Sequence, residues 1–326
     1  MASECVSVER VEDPKFRTLS GCGLVAIGGG RALAIGVQRE EESPSCYLMS
    51  LTDGVLTETP LETPFEVTFG TTAARVGHEV YVFSPVHGDP YSKAKVVTYP
   101  LVHVYHIDNG TWRTLQRQDE EAWPVSRGLP CFVPLGDTSL FMCGGEGDGP
   151  FDAKSDAWIL DTETGRWTEQ ANAAPLIKGI ESYGAYTVGE KVHLIGGQER
   201  HHYTFSVSEG WAKSPHPLPL HTSDYTTALP IGSHVLIFAG DGEWGVWVSD
   251  PISGMYGGEL AELEAESGGY FCHGAACEIA PETVLLHCDG GEDEDGRDTF
   301  ILTVDTDALQ AKCTISTAGP SAKRRQ

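Results

Sequence analysis

The chain is short of positive charge and of long apolar runs. Its 326 residues carry 22 Lys and Arg against 47 Asp and Glu, a formal net charge of −25. Polyanions such as DNA and RNA are held through Lys and Arg at their phosphates, so direct nucleic-acid binding is not expected. The imbalance favours solubility and basic partners. No run approaches the roughly 18 apolar residues of a membrane span. The opening Met1-Ala-Ser-Glu-Cys5 lacks the basic and apolar regions of a signal peptide. A Gly-x-Ser-x-Gly elbow, a P-loop and a Rossmann fingerprint are also missing, and with them the enzyme classes they serve.

Metal signatures are equally scarce. There are twelve histidines, including Arg200-His201-His202 and His273, but none has His-x-x-x-His spacing, and no Cys-x-x-Cys occurs. Cys272 and Cys277 are separated by four residues in a strand-like stretch, which favours opposite faces. The acidic run Gly291-Glu-Asp-Glu-Asp-Gly-Arg-Asp298 invites a calcium reading. Counting back from Gly296 gives Asp295, Asp293 and then Gly291, so the first ligand is missing, and Leu302 stands where the closing Glu belongs. No metal and no cofactor is expected. The nine cysteines are odd in number and scattered, and Cys131, Cys143, Cys277 and Cys288 sit inside apolar strand patterns. They read as buried free thiols in a reducing, cytoplasmic setting, without disulfides.

What the sequence has is turn residues between short apolar runs. It contains 38 Gly and 19 Pro, and hydrophobic residues make up 40%, enough for a large core. Thr138 to Trp167 shows the unit best. The run Leu140-Phe-Met-Cys143 is followed by Gly144-Gly145 and a polar loop. Ala157-Trp-Ile-Leu160 then leads to Asp161, and a Thr-Glu-Thr-Gly turn delivers Trp167. Such runs are too brief for most helices, so they read as strand, loop, strand, turn, strand.

The unit recurs at intervals of about 50 residues. Glu79-Val-Tyr-Val-Phe83 precedes Ser84-Pro85 and, later, Val102 to Asp108 and Trp112. Lys191-Val-His-Leu-Ile-Gly196-Gly197 precedes Trp211. His234 to Gly240 is followed by Trp247 to Asp250, with Met255-Tyr256 in place of the last Trp. Val284 to Cys288 precedes Gly290-Gly291 and Phe300 to Asp305, and a degenerate copy runs from Gly23 to Thr59 with no closing Trp. This pattern resembles the kelch repeat, one blade of a β-propeller. The resemblance extends from about Leu19 to Ser316. It implies an all-β, six-bladed kelch-type β-propeller with four antiparallel strands per blade. Blades are expected at about residues 19–60, 70–116, 129–170, 182–214, 223–258 and 270–317, within a single propeller over 1–317, and 318–326 reads as a disordered basic tail. Small residues such as Thr71-Thr-Ala-Ala74, Gly184-Ala185 and Gly274-Ala-Ala276 suit innermost strands. Trp112, Trp167 and Trp211 should take equivalent positions between blades. Two segments compete to close the ring, Cys5 to Val11 and Lys312 to Ser316, since both read as strands; Ala311 to Ser316 is the natural continuation of the sixth blade.

In propellers of this kind the loops after the second strands share one face with the blade-to-blade connections. Here those loops are acidic: Glu40, Glu41 and Glu42; Asp89; Glu146, Asp148 and Asp152; Asp241 and Glu243; and Glu292, Asp293, Glu294 and Asp295. They imply a negatively charged face that docks a protein partner with a basic surface, or a larger assembly, without catalysis. The bland alternative is that exposed loops of an acidic protein are simply acidic. From another class comes a kelch-type small-molecule enzyme, a sugar isomerase or a metal-dependent specifier-like protein, with its site at the mouth of the central channel. Glu181, Tyr183, Asp224 and Tyr225 lie near inner-strand starts and could line such a mouth. The Glu-x-x-x-Asp-x-x-x-His motif of the iron-dependent plant proteins is missing. An actin-associated role is disfavoured because actin is itself acidic.

Overall fold

The computed structural model describes residues 5–12, 19–38, 45–86, 99–117, 121–147, 153–170, 183–196, 201–214, 218, 226–241, 243–251, 255–263, 273–289 and 298–313. The chain begins with β1 (Val6–Arg10) and then runs through blades in order. Blade 1 is β2 (Leu19–Ala26), β3 (Arg31–Gln38), β4 (Cys46–Thr52) and β5 (Val55–Pro60). Blade 2 is β6 (Thr72–Val76), β7 (Glu79–Ser84), β8 (Leu101–His106) and β9 (Thr111–Leu115). Blade 3 is β10 (Cys131–Pro134), β11 (Ser139–Cys143), β12 (Ala157–Asp161) and β13 (Trp167–Glu169). Blade 4 is β14 (Tyr183–Val188), β15 (Lys191–Gly196), β16 (His201–Ser206) and β17 (Gly210–Lys213). Blade 5 is β18 (Thr226–Ile231), β19 (His234–Asp241), β20 (Glu243–Asp250) and β21 (Met255–Leu263). Blade 6 has β22 (His273–Ala280), β23 (Thr283–Asp289) and β24 (Asp298–Val304), and α1 (Thr306–Cys313) follows.

Each blade is a four-stranded antiparallel sheet paired in chain order, except the sixth, whose order is β22-β23-β24-β1. Burial explains the apolar runs. The second strands β7, β11 and β15 are buried along almost their whole length, because neighbouring blades cover both of their faces. The outermost strands β5 and β9 are mostly exposed or half-buried. Among the described residues the buried side chains form six apolar clusters, and each draws on two adjacent blades. Blade stacking is therefore the core of the protein.

Trp112, Trp167 and Trp211 all lie on fourth strands, opposite Tyr105, Leu160 and Phe205 on the third. Trp167 and Trp211 pack against the preceding blade, on Phe83 and Phe141, and Trp112 packs on Phe65 of the connection that leads from blade 1. In blade 5 Tyr256 takes this role, 8% exposed among blade 4 residues such as Tyr186 and Ile195.

The innermost strands begin at one end of the ring, so the loops after second strands and the blade-to-blade connections emerge together there. We call this the loop face; the hairpin turns within blades occupy the other, the turn face. Inner strands crowd the axis. A Cβ on Gly184 would lie 3.1 Å from the backbone N of Ala228 in the next blade. Thr227 Oγ1 donates to Gly274 O across the following junction at 2.6 Å.

The ring is closed by the N-terminal strand. Val6–Arg10 pairs with Phe300–Val304 in unbroken antiparallel register. Asp305 N donates to Cys5 O at 2.9 Å, Val11 N donates to Thr299 O at 2.8 Å, and Arg10 pairs with the buried Asp298 at 2.5 Å. The expectation of a strand continuing blade 6 at Ala311 is corrected: residues 311–313 are the end of α1. The physical reason is local. Asp305 Oδ1 accepts from Ala308 N at 2.9 Å as an N-cap, and Ala308, Leu309, Gln310, Ala311 and Lys312 are good helix formers. Leu309 is fully buried between blades 5 and 6. The expected tail, 318–326, lies outside the described residues.

Candidate functional site

Residues of all six innermost strands line a cavity of about 220 Å³ on the axis. Its walls are small or uncharged: Gly184, Ala185 and Gly274 beside Thr71, Thr227 and Tyr183. No Asp, Glu, Lys, Arg or His lines it among the described residues. Thr226 also faces it; this residue is 7% exposed and its Oγ1 is buried without a hydrogen-bond partner among the described residues.

Beside the mouth, the connection into blade 3 is clamped by Arg127. Its side chain is 1% exposed and binds both carboxylate oxygens of Asp156, the second at 2.8 Å. It also donates to Val125 O at 3.0 Å and Gly144 O at 3.3 Å. Trp158 Nε1 donates to the same carboxylate at 2.6 Å. Burial by itself would raise the Asp156 pKa, but the bonds and charge of Arg127 and the Trp158 indole outweigh it and hold the group below the ordinary carboxylate range. The glycine pair proves necessary here. Gly145 has φ +90°, and a Cβ on it would lie 2.6 Å from Gly128 O.

A second polar constellation is buried between blades 4 and 5. His193 Nδ1 and His202 Nε2 share a hydrogen bond at 2.9 Å, and Tyr256 OH bonds His202 Nδ1 at 2.9 Å. Tyr186 stacks on His193 with centroids 4.7 Å apart. Burial pushes both histidines down to about 4, so they are neutral near pH 7. Among the described residues no group of three or more His, Cys, Asp or Glu gathers where a metal could be held.

Of the acidic residues singled out from sequence, Glu146 is exposed and its backbone exchanges two 2.8 Å hydrogen bonds with Gly128 at the mouth. Asp241 and Glu243 are a register pair at the tip of β19 and β20. Glu40, Glu41, Glu42, Asp89, Asp148, Asp152, Glu292, Asp293, Glu294 and Asp295 lie outside the described residues. So do Glu181, Asp224 and Tyr225, while Tyr183 lines the cavity. Acidity is not confined to this face, because Asp53, Asp108, Glu163 and Glu209 stand on hairpin turns of the other. Sequence reasoning missed the Arg127–Asp156 clamp and the His193–His202–Tyr256 chain. Each joins residues from different strands or loops, and no local spacing announces either.

The protein is thus a six-bladed β-propeller closed by its N-terminal strand. No protein-family model matches the sequence, and no curated protein matches it. Among solved structures 683 chains match. One, titled "Structure of YjhT", is similar with a TM-score of 0.59 at 14% identity, covering 90% of this chain and 96% of that chain. At that identity the likeness is one of fold.

Proposed function

We propose that this kelch-like propeller is a cytoplasmic, non-catalytic docking module whose loop face binds a basic segment of a protein partner. The observation that carries the reading is topological. Every second strand ends at the same end of the ring, and five of the six stretches that join a second to a third strand carry, in them or at their borders, the acidic residues named above. Their summed field steers a basic partner and weakens with salt. Acidic residues on the turn face have local duties in part: Asp161 Oδ1, for example, accepts from Glu163 N and Thr164 N. The free thiols of Cys46, Cys131, Cys143 and Cys277, all buried, support a reducing compartment.

The test starts with affinity purification from the native source and mass spectrometry. Association of the recovered partner is then measured across a salt series. Replacing Glu292, Asp293, Glu294 and Asp295 with Lys should slow association several-fold and flatten the salt dependence, with stability nearly unchanged. Equal rates and equal salt slopes, here and for the other acidic loops, would remove the reading.

A second reading rests on Thr226. The residue lines an uncharged axial cavity and its hydroxyl has no hydrogen-bond partner among the described residues, which suits a small neutral ligand rich in hydroxyls. Protection of the protein against thermal unfolding by such a ligand, lost in Thr226→Val, would favour it.

A further inference from the structure

We propose that the loop face at the junction of blades 2 and 3 holds a preformed seat for one apolar side chain of a Lys/Arg-rich peptide segment; this rests on the docking reading above. Five large apolar side chains are exposed among the described residues, and three are carried by neighbouring segments of the loop face: Phe69 at 43%, Leu101 at 44% and Val125 at 38%. The other two, Val55 and Val207, flank hairpin turns of the turn face. The three come from the connection between blades 1 and 2, the start of β8, and the connection between blades 2 and 3.

Hydrogen bonds knit these segments together. Thr68 Oγ1 donates to Pro85 O at 2.7 Å, and Ser84 pairs in register with Leu101. Val86 N donates to Ser126 Oγ at 2.7 Å, and Trp123 Nε1 donates to Pro100 O at 3.3 Å. Leu129 N donates to Gly70 O at 3.0 Å. The closest approach leaves no room for side chains: Gly70 has φ +83°, and a Cβ there would lie 2.5 Å from the Gly128 Cα. A patch held by so many bonds loses little freedom when it is covered, which favours binding.

Charge selects the occupant. Exposed Glu62 and Glu66 share the connection that carries Phe69, and exposed Glu146 is bonded through its backbone to Gly128. Of the cations in these segments, Arg127 is buried on Asp156 and Arg117 lies over the Tyr99 ring at 3.9 Å. An apolar anchor flanked by Lys or Arg satisfies both features; an acidic peptide satisfies one and opposes the other.

The test uses three fluorescein-labelled peptides in anisotropy titrations at physiological ionic strength: Lys-Arg-Lys-Leu-Lys-Arg-Lys, the same peptide with central Gly, and an acidic analogue with central Leu. The intact protein should bind the Leu peptide about tenfold more tightly than the Gly peptide, the worth of one partly buried anchor. Phe69→Ser/Leu101→Thr/Val125→Ser should abolish that difference while leaving Gly-peptide binding unchanged. If the triple variant does not fold, Val125→Ser and Leu101→Thr singly carry the test, each narrowing the ratio. Equal binding of the Leu and Gly peptides, or a ratio that survives these substitutions, overturns the seat. The docking reading fails separately: it stands if both basic peptides bind and weaken in the Glu292–Asp295→Lys variant. It falls with the seat if neither binds better than the acidic analogue.

Discussion

Arg127 is the largest side chain that is fully buried, and its charge is matched only through Asp156 among carboxylates in the described structure. Asp156→Ala should therefore destabilise the protein by about 3–5 kcal/mol, since it strands a buried guanidinium. Because the Asp156 pKa is depressed in the folded state, its contribution is present above the unfolded value, about 3.9, and is lost as pH falls through the folded one. Histidine acts in the opposite range. His103, His193 and His202 are each held at about 4 by burial, against an unfolded value near 6.5. Between those values the unfolded chain binds more protons, so stability falls as pH drops from 6.5 toward 4, by about 1.4 kcal/mol per pH unit for each histidine. Urea unfolding at several pH values should show this slope. His202→Gln should reduce it by about one proton, and an unchanged slope would show that the buried pair is not its source. Trp167 is 5% exposed, and Trp167→Ala should cost about 3–5 kcal/mol by chemical denaturation. Trp112 and Trp211, half-buried, should cost less. The fourth-strand place of all three was legible from one local cue, a turn after an apolar strand. Their unequal burial was not, because it depends on how far the preceding blade and the connection from it cover them.

Among the elements, β1 has the largest consequence. Among the described strands it alone is far in sequence from the blade it completes, and it supplies the outer edge of blade 6. Deleting residues 1–11 should expose the β24 edge, remove the Arg10 ion pair of the buried Asp298, and uncover part of the cluster that includes Val6 and Leu309. The expected result is loss of the cooperative unfolding transition or aggregation through the open edge, read by calorimetry and light scattering. Retention of the wild-type transition would show that the ring is stable without its clasp. Adding a synthetic Val6–Arg10 segment in trans should partly restore stability if pairing to β24 is what matters.

Over the whole molecule, stability comes from six similar junctions, so it should depend on every blade rather than on one centre. Thiol titration of the denatured protein without reductant should find all nine cysteines free; Cys46, Cys131, Cys143 and Cys277 are buried free thiols in the structure, and Cys46 and Cys277 are pushed up to about 12 by burial. Protected pairs would argue against a reducing compartment.

The amino-acid sequence by itself determined the repeating architecture. The run Leu140–Cys143 is apolar throughout and Val192–Ile195 is apolar but for His193, as second strands covered on both faces by stacked blades require, and Gly145 and Gly196 mark places where the backbone adopts positive φ. Those are local properties, written within a few residues. Which end of the chain closes the ring was decided only in three dimensions. Cys5 to Val11 and the segment after Asp305 both carry locally acceptable patterns. The choice turns on the β24 edge, on Arg10 meeting Asp298, and on the Asp305 cap that diverts the later segment into a helix. The candidate site divides the same way. The acidic loops were visible as composition. The joining of the segments that carry Phe69, Leu101 and Val125 was not, because these segments stand far apart in the chain and are linked only by hydrogen bonds between connections.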